Sequence, residues 1–195
     1  AVAATLMYCA PVFVYLVSFA LKLERPTTAK WLAIALVMVG IVLLTKLYAI
    51  SASGLSLIGV GTGLLAGFSY AVFIFGFKYA APHGSPQAIL SVALTVLAIA
   101  LLLPTDINQA VCVVSAPELP LFVALGILGA GLSFLLYVVG IKHAAPALAS
   151  MIAMVEPITA TLFGVAVLNE SLGVIQMAGM GIILLTVTAL SVSSR

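Results

Sequence analysis

Seven stretches of this chain are long and almost wholly apolar, and no other feature limits its fold so strongly. They run Val2 to Leu21, Trp31 to Leu47, Leu55 to Phe77, Gln87 to Leu103, Leu121 to Ile141, Ala147 to Leu168 and Leu172 to Val192. Crossing a bilayer takes about 20 predominantly apolar residues, and in hydrocarbon only helices or closed barrels satisfy every backbone N–H and C=O. The runs lack the period-two alternation of barrel strands, which leaves helices. Turn-formers and charges gather between them, as in Lys22 to Pro26, Ala81 to Pro86 and Pro104 to Asn108. Only 6% of residues are charged and 65% are hydrophobic, against about 25% charged in soluble domains. Seven basic and five acidic side chains cannot cover a body of this size in water, so apolar surface must face lipid. The expected fold is therefore all-α, a polytopic membrane bundle of seven transmembrane helices. A net charge of +2 without clustered Lys or Arg excludes nucleic acid as a partner. Cys9 falls in an apolar run and Cys112 in what reads as a loop, so no disulfide framework is expected.

Loops between seven spans alternate faces. Lys22, Arg25, Lys30, Lys78, Lys142 and Arg195 then share one side, and Lys46 stands on the other. The excess of basic residues marks the first side, with the C-terminus, as cytoplasmic. Asp106, Glu118 and Glu170 fall outside. Removing the short fourth span would destroy this bias.

The chain also matches itself. A shift of 146 residues lays Cys9 to Glu24 on Val155 to Glu170 without gaps, pairing Pro11 with Pro157, Leu16 with Leu162, Ala20 with Ala166 and Glu24 with Glu170. The shift carries the first span onto the sixth and the second onto the seventh. Five spans is an odd number, so the copies cross the membrane in opposite directions, the inverted repeat found in many secondary transporters. Residues 1–49 then form the last two helices of one five-helix unit, and residues 50–195 the complete second unit. The chain begins on Ala rather than Met and reads as a fragment lacking three upstream helices.

These residues resemble the drug/metabolite transporter superfamily, EamA type. The likeness rests on Pro11, Glu24 and Gly40 in the first copy and on Ser150, Glu156, Pro157, Glu170, Gln176, Gly179 and Gly181 in the second, with the turn Gly140 to Pro146. The first copy has Ala10 where the second has Glu156. The resemblance implies a 5+5 inverted-repeat transporter in a bacterial inner membrane that moves small organic solutes such as amino acids, other metabolites or drugs. No cofactor is implied, and oligomeric state stays open.

Glu156 is the first candidate for function. It lies mid-span, where an ionisable group costs several kcal/mol unless paired, protonated or hydrated. Ala149, Ala153, Ala160 and Gly164 share its helix face, and so small a face predicts a carboxyl directed inward. A substrate contact, a proton-coupling group and a structural acid bonded to a neighbouring helix are the three readings. Pro11 and Pro157 each remove an N–H, leaving the carbonyls of Met7 and Ala153 without their usual donors, and predict kinks at matching places. Tyr70, Tyr137, Ser133 and Thr159, with Tyr8 and Ser69, are polar groups of the kind a small-molecule pocket uses; each alone is more often a helix–helix hydrogen bond. Gly59, Gly63 and Gly67 form a stripe expected to pack helices closely. Glu24 and Glu170 are expected to complement the start of the following helix, and Trp31 to anchor at the interface.

Other classes fit poorly. An intramembrane protease would need a Gly-x-Ser-Gly segment with a membrane-embedded His, or His-Glu-x-x-His, and neither is present. His83 and His143 fall in loops without acids or Cys at metal-ligand spacing, so no metal site is expected. A retinal protein would need a Lys in the last span, which has none. The sequence therefore predicts a carrier rather than an enzyme, with a non-transporting membrane fragment or assembly subunit as the alternative.

Overall fold

The computed structural model describes residues 6–23, 25–49, 56–104 and 106–193. The predicted span starts Val2 and Leu55, and the charged residues Glu24 and Arg195, lie outside them. All regular structure among the described residues is helical: α1 (Ala10–Ala20), α2 (Thr28–Leu44), α3 (Leu57–Ala80), α4 (Pro86–Leu102), α5 (Ile107–Val114), α6 (Leu119–His143), α7 (Pro146–Leu168) and α8 (Val174–Ser193). A single 3-10 turn, Leu47–Ala49, follows α2. Each of the seven apolar runs carries a helix. Four of these, α3, α6, α7 and α8, are long and apolar enough to cross a membrane by themselves. The other three are shorter: α1 has 11 residues, and α2 and α4 have 17 each, the lower end of what spans hydrocarbon. The chain is a helical membrane bundle.

One reading is corrected. Cys112 is not in a loop but on α5, exposed. Ile107, Val111 and Val114 stand at helical spacing, but two turns between Pro104 and Pro117 are too short for periodicity to outweigh the flanking breakers.

The helices form two compact units, residues 1–75 with 145–195, and residues 76–144. The first has a continuous core that includes Tyr15, Val37, Ile41, Met151, Met154, Ile158 and Ile183. Its most extensive packing is α2 against α8. An added Cβ on Gly179 would lie 2.6 Å from the Gly40 carbonyl oxygen and 2.9 Å from the Leu44 nitrogen. One on Gly40 would lie 2.9 Å from the Gly179 oxygen. Small residues thus let two backbones meet directly. The Gln176 amide donates to the Leu44 carbonyl at 3.1 Å while its oxygen accepts from the Gly173 N–H at 3.1 Å. One side chain caps the start of α8 and the end of α2. At the other end, Ala29 and Ala33 share a groove with Thr186 and Ala189. The C-terminal end of α2 thus meets the N-terminal end of α8, so the two run antiparallel, as repeat mates five spans apart must. They start at Thr28 and Val174, 146 residues apart.

The α1–α2 hairpin is held by Tyr15. Its buried ring meets Trp31 edge-on at 4.8 Å, and its hydroxyl accepts the Thr27 N–H at 3.0 Å. The Thr27 hydroxyl in turn caps α2 by accepting from Lys30 N–H at 3.3 Å.

The second unit holds α4, α5, α6 and the end of α3 from Gly76. Most of its apolar side chains are exposed, with Leu90, Val138 and Ile141 among the buried ones. The Phe77 ring stacks near Phe134 at 6.4 Å and meets Tyr137 edge-on at 6.0 Å. Within α6, Leu125–Leu132 is wound as π-helix, a form that elsewhere occurs mostly as single turns.

Candidate substrate site at the paired helix breaks

Both proline-bearing helices are interrupted just before their prolines. Ahead of α1, Leu6 and Met7 are helical, Tyr8 and Cys9 form a turn, and the helix resumes at Ala10. The Cys9 N–H donates to the Leu6 carbonyl, and the Val12 N–H to the Cys9 carbonyl, each at 3.0 Å and each a residue tighter than in an α-helix. Within α7, Pro146–Ile152 is followed by a 3-10 turn, Ala153–Val155, and the helix resumes at Glu156. The Ala153 carbonyl, deprived of a donor at Pro157, accepts instead from the Glu156 N–H. The expected kinks thus take the form of short, tighter turns of helical backbone, with each proline in the first turn of the α-helix that resumes, where its missing N–H costs nothing. The restarts, Ala10 and Glu156, are again 146 residues apart.

The breaks bring three ionisable side chains together. Tyr8 from the first break and Tyr70 from α3 both lie within electrostatic range of Glu156 at the second. Tyr8 and Tyr70 also pack on the core, and Tyr70 stacks on Phe73 at 5.6 Å. Close approach of α3 depends on Gly67. A Cβ there would stand 3.2 Å from both the Leu6 and Met7 carbonyl oxygens and 3.3 Å from the Phe13 ring. Phe68 beside it meets Phe13 edge-on at 6.0 Å. The Met7 oxygen, whose usual donor would be at Pro11, is therefore one of the atoms that Gly67 admits.

Glu156 is more open than its small-residue face suggested. Pro157 and Gly164 beside it are buried, whereas Glu156 and Ala160 are exposed. Thr159, also exposed, donates its hydroxyl to the Val155 carbonyl of the break at 3.0 Å, and Thr161 donates to the Pro157 carbonyl in the first turn of the resumed helix at 2.8 Å. Ser133 and Tyr137 belong to the second unit. The Ser133 hydroxyl follows the π-helical pattern by bonding the Leu128 carbonyl at 2.9 Å. Of the glycine stripe, Gly63 and Gly67 are buried and Gly59 is exposed beside the Ser56 hydroxyl.

Glu170 behaves differently from expectation. Its N–H bonds the Gly164 carbonyl at 3.2 Å after Asn169 turns with φ 55, and its carboxylate lies against Gly164. It closes the end of α7 rather than complementing the start of α8. The αL residue reverses the chain there and folds the side chain back.

Sequence reasoning gave Tyr8 little weight; its position three residues before Pro11, at the break, was the available signal. It missed Tyr15, whose role needs the hairpin to exist, and Lys78, taken up below.

Apolar helices, several long enough to span a bilayer and two interrupted beside a proline, define a helical membrane protein. The model of the EamA-like transporter family matches residues 57–192, and the chain belongs to that family, within the drug/metabolite transporter superfamily. The family is one of membrane transporters, and this is a multi-pass membrane protein. No curated protein matches the chain.

Proposed function

We propose that this chain acts as a carrier that moves small organic solutes, such as amino acids, other metabolites or drugs, by alternating access. Its working site is the Tyr8, Tyr70 and Glu156 cluster, supported by Thr159; Ser133 and Tyr137, on α6, are separate polar candidates. The observation that carries this reading is the coincidence of two helix breaks, 146 residues apart, with the three ionisable side chains. Interrupted helices at corresponding places in two repeats are where secondary transporters bind substrate near the midplane. A carboxylate in that position has default value as a substrate or proton-coupling group. The partners are the lipid bilayer and the solute, and chemistry is confined to binding and movement without catalysis. On this reading the protein sits in a bacterial inner membrane, with the C-terminus on the cytoplasmic face that the excess of basic residues favours. Residues 1–49 end one repeat and residues 50–195 make up the other.

The test is a panel of amino acids and lipophilic cations, ethidium among them, presented to bacteria depleted of their own efflux systems and expressing the chain. Transport of at least one compound is expected, with Glu156→Gln reducing it to background while the variant still reaches the membrane in equal amount. Transport that survives the substitution would overturn the role of Glu156. No transport of any compound would favour a non-transporting membrane fragment or assembly subunit.

A further inference from the structure

Lys78, at the end of α3, makes three hydrogen bonds from one ammonium group. Its Nζ donates to the carbonyls of Ile141 and Lys142 at 3.1 Å each and of Ala144 at 2.8 Å. All four residues belong to the 76–144 unit. The cup they form follows from the sequence of the turn. The last four carbonyls of a helix have no intrahelical donor. After α6 the chain is extended at Ala144 and Ala145, and residue 146, which would otherwise answer the Lys142 carbonyl, is a proline without N–H. The oxygens are thus left pointing at one place, at the negative end of the α6 dipole. An ammonium has three hydrogens, and here each has an acceptor. The spacing of 2.8–3.1 Å suits N–H···O bonds and exceeds the roughly 2.0–2.6 Å at which hard metal ions sit.

We propose that the Ile141, Lys142 and Ala144 carbonyls form an ammonium-selective cation site that Lys78 fills from within the chain, pinning the end of α3 to the end of α6. The site is distinct from the Glu156 cluster and does not depend on the transport reading. The short positive segment at this end is then more than a topological signal: one of its lysines serves a helix terminus to which the turn itself gives only the long Ala144 N–H bond, 3.4 Å from the Ile141 carbonyl. A primary ammonium of small size is the ligand class that fits once the side chain is gone.

The full chain, purified in nanodiscs, tests this through thermal unfolding of the wild type, Lys78→Ala and Lys78→Met. Lys78→Ala is expected to melt several degrees lower. Methylammonium chloride should restore most of the difference, because a ligand that binds only the folded state raises its stability with concentration. Sodium and choline chloride at equal ionic strength should not, Lys78→Met should resist rescue because its side chain fills the cup, and the wild type should be indifferent to all three. An unchanged midpoint in Lys78→Ala, or rescue by choline equal to that by methylammonium, would overturn the proposal. If neither variant inserts, acetylation of the wild type decides it by mass spectrometry: Lys78 should react at least about tenfold more slowly than exposed Lys142, since bonds to a charged group must first be broken. Equal rates would sink it.

Discussion

The two helix pairs of the repeat, α1 with α7 and α2 with α8, have the same sequence spacing and opposite physical characters. In α2 and α8 the helices are continuous, glycines bring the backbones into contact, and Gln176 satisfies both ends. In α1 and α7 each helix restarts beside a proline, and polar side chains collect where backbone regularity is lost. One repeat therefore supplies a rigid pair and an interrupted pair. A carrier needs both: irregular backbone in a membrane is tolerated only where protein or a cavity surrounds it, and the firmly packed pair holds that surround in place.

The largest expected effect comes from repairing a break. Pro157→Ala returns an N–H to the Ala153 carbonyl and lets α7 wind through, so thermal stability should hold or rise while transport falls by at least about tenfold. A repaired helix with full transport would mean that the interruption is incidental. The next effect lies in the rigid pair. Gly179→Ala forces a methyl against the Gly40 oxygen and the Leu44 nitrogen, and overpacking of this kind costs about 1–3 kcal/mol. Gly61→Ala is the control, because nothing stands within 4 Å of its added Cβ. Similar melting of the two variants would show that the glycines do not distinguish the regions. The smallest effect is expected from Gln176→Leu, which removes one bond to each helix end and should cost about 1 kcal/mol without changing transport at saturating substrate. A transport defect larger than the stability loss would tie the rigid pair to the working cycle.

Much of this was legible in the residues. Long apolar runs betray spans because hydrocarbon offers the backbone no partner, and all seven runs carry helices. The match of Pro11 with Pro157 located both breaks, since a missing N–H acts wherever the chain goes. What proline could not disclose was how the backbone would rebond at each break, by a 3-10 bond to Ala153 in one case and by bonds to Leu6 and Cys9 in the other. Glu156 was visible as an acid in an apolar run, but its neighbours Tyr8 and Tyr70 are far away in sequence. Gly40, Gln176 and Gly179 formed part of the family likeness, and only packing gave them a task. Gly181, two residues from Gly179, has no neighbour within 4 Å of an added Cβ.

The basic residues illustrate the same division. Their uneven distribution placed Lys78 and Lys142 on one face, and in the folded chain the Lys78 ammonium does reach the Lys142 carbonyl. Counting Lys and Arg yields a side of the membrane because basic residues close to the span ends set orientation wherever in the loop they stand. It does not yield a partner, because a hydrogen bond depends on the direction of a particular carbonyl.

The sequence by itself determined a helical membrane protein with helices interrupted beside matching prolines, because solvent preference and proline chemistry are properties of residues and their order. The tertiary structure decided that α2 and α8 lie antiparallel in contact, that Tyr8 and Tyr70 come within electrostatic range of Glu156, and that Lys78 closes the end of α6. Those outcomes depend on backbone approach and orientation at a scale of a few tenths of an ångström, which apolar composition leaves almost unspecified.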